Sequence, residues 1–123
     1  MRILITGGAG YIGSHMARYA KKNGFDVVIL DNFSTGNSWA VDNFEVINVD
    51  LLDHLELKKK LKGHEFNGVI HFAAKSLVGE SIIKPNFYFR NNVIGTMNLV
   101  DVMLEKNIKN LVFSSSAAIF GYP

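Results

Sequence analysis

Thr6-Gly7-Gly8-Ala9-Gly10-Tyr11-Ile12-Gly13 decides how the rest of the chain is read. An apolar run, Ile3-Leu4-Ile5, leads into it. A helix-period segment follows, with Ile12, Met16 and Ala20 on one face and Gly13 and Ala17 beside them. Strand, glycine turn, helix is the setting in which such a motif holds a dinucleotide. Gly7 permits the tight turn, and Gly10 lets a pyrophosphate approach the backbone without meeting a Cβ. Gly13 lets the helix lie close on the strand, so that its first N–H groups point at the phosphates. The spacing is G-x-x-G-x-x-G rather than G-x-G-x-x-G, and the triplet alone also fits a plain glycine-rich turn.

The next strand adds weight. Asp26-Val27-Val28-Ile29-Leu30 reads as a buried strand ending on Asp31. An acid at that point is placed to accept hydrogen bonds from an adenosine ribose and would repel a 2′-phosphate, which selects NAD over NADP.

The 123 residues suit one domain with a modest core, so residues 1–123 are read as one NAD-binding unit. A formal net charge of +2 is too small to argue for nucleic acid or a membrane surface as partner. Lys58-Lys59-Lys60 fits the solvated side of a helix. With no cysteine, disulfides and thiolate chemistry are excluded. Arg2 and three apolar residues before the turn are too short for a signal peptide, and no apolar run approaches a membrane span. A cytoplasmic location is the expectation. His15, His54, His64 and His71 show no metal-ligand spacing, so no metal is expected and they read as surface or packing residues.

Along the chain, residues 32–38 have turn chemistry and either wrap the adenosine end of the cofactor or form a plain surface loop. Residues 44–49 read as a third strand ending at Asp50. Asp53 and Glu56 resemble a capping box before a short helix marked by Leu57 and Leu61. Gly68-Val69-Ile70-His71-Phe72 is a fourth strand, and the small residues after it leave room for a flat group. A long helix is expected over residues 87–106, with Val93, Met97, Val100 and Leu104 as a stripe widened by Leu99, Val102 and Met103. So wide an apolar face predicts packing on another subunit, as in a homodimer. Asn110-Leu111-Val112-Phe113 is the last strand, expected as an exposed sheet edge, and it runs into Ser114-Ser115-Ser116. Strands that are nearly all apolar and alternate with helices predict an α/β fold, a Rossmann-type doubly wound parallel sheet of about five strands.

With these residues in place, the sequence resembles the extended branch of the short-chain dehydrogenase/reductase superfamily, and within it the nucleotide-sugar 4-epimerases. The resemblance rests on residues 6–15, on His71-Phe72-Ala73-Ala74, and on Val78-Gly79-Glu80-Ser81 through Pro85. Asn91-Asn92-Val93-Ile94-Gly95-Thr96 and Ser114-Ser115-Ser116-Ala117 complete it. It implies that Gly7, Gly10, Tyr11, Ile12 and Gly13 hold the pyrophosphate of NAD, that Asp31 and Asn32 take the adenosine ribose, and that Asp50 and Leu51 flank the adenine. Phe72, Ala73, Ala74 and Ser76 would line the middle of the cofactor, with Asn91 reaching it from the long helix. It also implies UDP-glucose or UDP-galactose as substrate and Ser116 as the catalytic serine, which would bond the C4 oxygen as hydride leaves. A serine satisfying strand-end backbone is the other account of Ser116. Related 4,6-dehydratases carry an Asp-Glu pair where this chain has Ala117 and Ala118, so dehydration lacks a proton path. Ile119-Phe120-Gly121 departs from the family, which has a tyrosine before the glycine.

The base of the resembled enzymes is the tyrosine of a Tyr-x-x-x-Lys pair. Four residues after Tyr11, Tyr19 and Tyr88 stand His15, Asn23 and Asn92, and Tyr122 has too few residues after it. The chain is therefore expected to be the amino-terminal part of such an enzyme, without the sugar-nucleotide domain and inactive alone. Two alternatives stay open: a non-catalytic NAD-binding or sensing module, and another extended short-chain enzyme acting on nucleotide sugars.

Overall fold

The computed structural model describes residues 1–121, leaving aside the side chains of Ala117 and Ala118. Five parallel strands form one sheet in the order β3-β2-β1-β4-β5: β1 Arg2–Thr6, β2 Asp26–Asp31, β3 Glu45–Asn48, β4 Gly68–His71 and β5 Leu111–Phe113. The expected doubly wound sheet is what the chain builds. Central β1 is in register with β2 from Arg2 opposite Asp26 to Thr6 opposite Leu30, and with β4 from Ile3 opposite Gly68.

Side chains alternate across a strand, so each strand feeds two cores. Ile3, Ile5, Val27 and Ile29 pack against Ala17 and Ala20 of α1 (Tyr11–Lys22). Leu4, Val28, Leu30 and Val69 face the other way, onto Leu57 and Leu61 of α2 (His54–Leu61) and onto Leu99, Val102 and Met103 of α5 (Gly95–Glu105). Two short helices, α3 (Val78–Ile83) and α4 (Pro85–Phe89), precede α5. Tyr88 Oη donates to Glu80 Oε2 at 2.8 Å and ties α3 to α4.

Two local expectations need correction. Ile12 does not share the buried face of α1: it is 61% exposed, and α1 buries Gly13, Ser14, Ala17 and Ala20 instead. The helix lies so close to the turn that only small side chains fit beneath it. The expected helix over 87–106 is α4 and α5 joined through a π turn, Arg90–Ile94, closed where Gly95 N–H donates to Arg90 O.

The faces of the sheet are covered unequally. On the α1 side, β4 and β5 have no helix over them among the described residues, and an apolar groove lined by Ile3, Met16, Tyr19, Phe25, Ile70 and Val112 runs there. Among the described residues β5 pairs only with β4, and all three of its residues are exposed, Val112 at 62%. The expected exposed edge is present.

Candidate functional site at the carboxyl ends of the strands

The chain leaves β1 toward β2 on one side and later returns to place β4 on its other side. In an open α/β sheet, ligands settle in the crevice outside the carboxyl ends at such a reversal. A cleft opens there, lined by Gly7, Gly10, Leu30, Asp31, Asn32, Ser34, Thr35, Gly36, Val49, Asp50, Leu51, Phe72, Ala73, Ala74, Lys75 and Asn91. Its volume is about 110 Å³.

The glycine turn is built by close approach. Gly7 has φ +68°, and a Cβ there would lie 2.6 Å from Ala73 N. A Cβ on Gly13 would lie 2.2 Å from Gly7 O. Gly10 differs: its Cβ would meet nothing nearer than Gly7 O at 3.3 Å. Gly10 is the residue before α1, no side chain caps that helix, and its first turn holds no acid. The amides of Tyr11, Ile12 and Gly13 start the helix, and such first-turn N–H groups have no intrahelical partner.

Asp31 is buried and braces the turn. Its Oδ2 accepts from Ala9 N at 2.9 Å and its Oδ1 from Phe33 N at 2.8 Å. Each carboxylate oxygen has a second lone pair for a further donor. Asn32 Nδ2 donates to Asp50 Oδ2 at 2.9 Å, joining the loops after β2 and β3. Asp50 Oδ1 accepts from Leu52 N, and Asn98 Nδ2 of α5 donates to Leu51 O at 2.8 Å, so Leu51 is fixed from both sides.

Beside β4, buried His71 carries a relay. Thr96 Oγ1 donates to Asn92 O at 2.6 Å, so the contact to His71 at 2.9 Å runs from Nε2–H into Thr96 Oγ1. Nδ1 is then the acceptor, taking the hydroxyl of Thr6 at the end of β1. Burial lowers the His71 pKa and favours this neutral ring. The expectation of a packing histidine is met, with polar partners at both nitrogens. No cluster of metal-ligating side chains occurs among the described residues.

Of the residues expected here, Gly7, Gly10, Asp31, Asn32, Asp50, Leu51, Phe72, Ala73, Ala74 and Asn91 line the cleft together. Four do not. Gly13 is buried behind Gly7, and the side chains of Tyr11 (83% exposed) and Ile12 turn to solvent, leaving only their backbone near the turn. Ser76 is exposed outside the lining, where its neighbour Lys75 takes the place. Ser116 lies past the end of β5, exposed and outside the lining, its carbonyl accepting from Ile119 N at 3.3 Å. Sequence reasoning missed Lys75, Leu30 and Val49 as lining residues. The loop over 32–38 does wall the cleft through Ser34, Thr35 and Gly36, and Asn37 N donates to Ala9 O at 3.0 Å.

Residues 3–123 match the model of the NAD dependent epimerase/dehydratase family. The chain belongs to this family. A UDP-glucose 4-epimerase of Corynebacterium glutamicum is 49% identical across 100% of this chain and 37% of its own length. That of Halalkalibacterium halodurans is 46% identical over the same shares. The solved UDP-glucose 4-epimerase from Bifidobacterium longum, in complex with NAD+ and UDP, superposes with a TM-score of 0.93 at 33% identity, covering 100% of this chain and 39% of that one. The enzyme from Brucella ovis in complex with NAD gives 0.91 at 42% identity, covering 99% and 38%. The chain thus spans a little over a third of the length of the family members it matches. Among the described residues, no helix is long and apolar enough to cross a membrane.

Proposed function

We propose that this chain is the NAD-binding part of a UDP-glucose 4-epimerase, which interconverts UDP-glucose and UDP-galactose through a 4-keto sugar. The observation that carries the reading is the joint placement of the glycine turn, the uncapped start of α1 and the Asp31 carboxylate at one end of one cleft. These fit the cofactor: amides for a pyrophosphate, an open approach at Gly10, and a carboxylate for a ribose diol. When bound, NAD supplies the hydride acceptor and donor.

The chain's residues hold and orient. Gly7 and Gly13 shape the turn so that the backbone N–H groups of Tyr11, Ile12 and Gly13 face the pyrophosphate. Asp31, with Asn32, receives the adenosine ribose, and Asp50 and Leu51 border the adenine. Phe72, Ala73 and Ala74 lie against the middle of the cofactor, with Asn91 across from them. Ser76 is placed at the end of that wall, next to Lys75. Ser116 is proposed to hydrogen-bond the sugar's C4 oxygen, and its place beyond β5 supports a sugar seated at that end of the sheet.

Ala117 and Ala118 favour epimerisation over dehydration. A non-catalytic module has no need of a serine at 116. We place the protein in the cytoplasm, with UDP-sugar as small-molecule partner and neither nucleic acid nor membrane. We also infer a homodimer through residues 87–106, supported by exposed Val93, Met97 and Leu104. The 123-residue chain has no Tyr-x-x-x-Lys pair, and by itself it should not epimerise UDP-galactose; measurable turnover would sink that expectation.

Calorimetry tests the binding. NAD+ should bind more tightly than NADP+, and Asp31→Asn should weaken NAD+ about tenfold while narrowing the difference. Asparagine keeps one acceptor for the turn, which alanine would not. Unchanged affinities in Asp31→Asn would refute the ribose assignment.

A further inference from the structure

Lys75 is the one cationic side chain lining the cleft among the described residues, and it faces a lining that also holds two carboxylates, Asp31 and Asp50. Its backbone is clamped. Lys75 N–H donates to Asn92 Oδ1 at 2.8 Å, and Asn92 Nδ2 donates to Lys75 O at 2.9 Å. Asn92 sits in the π turn, and its own carbonyl accepts the Thr96 hydroxyl that His71 orients. The position of the Lys75 backbone is therefore set from the core outward, through β4, Thr96 and Asn92.

From that anchor the side chain crosses to the opposite wall. Nζ donates to Ser34 Oγ at 3.1 Å, in the loop after β2, and stands 5.6 Å from the centroid of the Phe87 ring. A neutral hydroxyl and an aromatic ring are modest partners for an ammonium. A phosphate oxygen brings a full opposite charge to the ammonium, which neither the hydroxyl nor the ring does. The cleft needs such a cation, because Asp31 and Asp50 repel the same phosphates that the glycine turn attracts.

We propose that Lys75 is a phosphate-recognising residue of the cleft, strapped across its mouth on Ser34 and transferring its ammonium to the pyrophosphate of an entering dinucleotide. The glycine turn would then hold the pyrophosphate from the β1 side and Lys75 from the β4 side. This rests on the cleft being the NAD site.

The test is isothermal titration of the 123-residue chain with NAD+ and with adenosine, which carries the same base and ribose without phosphate. Lys75→Met should weaken NAD+ about tenfold, leave adenosine unchanged, and lose part of that difference as salt is raised. Lys75→Arg should restore most of the NAD+ affinity. Equal losses for both ligands would overturn the proposal, since the variant would then have damaged the cleft rather than a phosphate contact. So would unchanged NAD+ affinity with a lower unfolding temperature, which would make Lys75 only a counter-charge for Asp31 and Asp50. If Lys75→Met does not fold, Lys75→Gln reads the same loss. A wild-type chain that binds neither ligand defeats the NAD-site reading and this proposal with it; binding that Lys75→Met leaves intact defeats this proposal alone.

Discussion

Helices α1 and α2 both start at the carboxyl end of the sheet, and they finish their amino ends in opposite ways. Before α2, Asp53 Oδ1 accepts from Glu56 N at 3.0 Å, and Glu56 adds negative charge to the first turn. Before α1 stands Gly10, with no capping side chain and no acid in the first turn. A helix start carries partial positive charge and unpaired N–H groups. At α2 the chain satisfies both itself. At α1 it leaves both for something anionic, at the point where Gly10 clears the approach and Asp31 braces the turn. The contrast marks α1 as the binding helix and α2 as a structural one.

The contrast can be broken most severely at Gly13. Gly13→Ala drives a Cβ to 2.2 Å from Gly7 O, backbone that cannot step aside. A loss of about 3 kcal/mol or more in urea unfolding is expected, with NAD+ binding gone as well. The reverse change sharpens it. Gly10 has an extended backbone (φ −75°, ψ 174°) that any residue adopts, so Gly10→Asp should cap α1 as Asp53 caps α2. Thermal unfolding should rise or hold, while titration shows at least tenfold weaker NAD+ binding because the cap competes with phosphate. Retained affinity would mean that α1's amides do not meet the ligand. Asp53→Ala should cost about 1 kcal/mol and leave NAD+ affinity alone.

The smallest effect is a pH effect, and it too belongs to the α1 end, since His71 holds the hydroxyl of Thr6 directly before Gly7. The His71 pKa is lowered by burial from the ordinary 6.5. The unfolded chain therefore binds the proton first as pH falls below 6.5, and stability present above that value is lost through the folded pKa. Between pH 7.5 and 6 the loss from this group is at most about 0.8 kcal/mol. His71→Asn should flatten the slope; a slope unchanged in that variant would assign it to other groups.

Much of this was legible in the sequence, because close approach and strand burial leave local marks. Glycines at 7, 10 and 13 announce the turn, and unbroken apolar runs announce parallel strands. Packing against a turn was harder to see. By hydrophobicity Ile12 is the natural core residue, yet the residues that α1 buries are glycine, serine and alanine. The π turn was invisible, since the Thr96 hydroxyl that bonds Asn92 O is itself held by His71 on another element. Lys75 and Ser76 exchanged places for a similar reason: loop residues have no periodicity, and only the Asn92 clamp decides which one faces inward.

The lone pairing of β5 has a kinetic consequence. An outer strand with one neighbour and exposed side chains opens by local fraying, whereas β1, flanked on both sides and buried, opens only when the whole sheet does. Deuterium should enter the amides of residues 111–116 early and those of residues 3–6 last. The edge and the centre of the sheet would then keep different clocks, with the strand before Ser116 on the fast one and the strand before the glycine turn on the slow one.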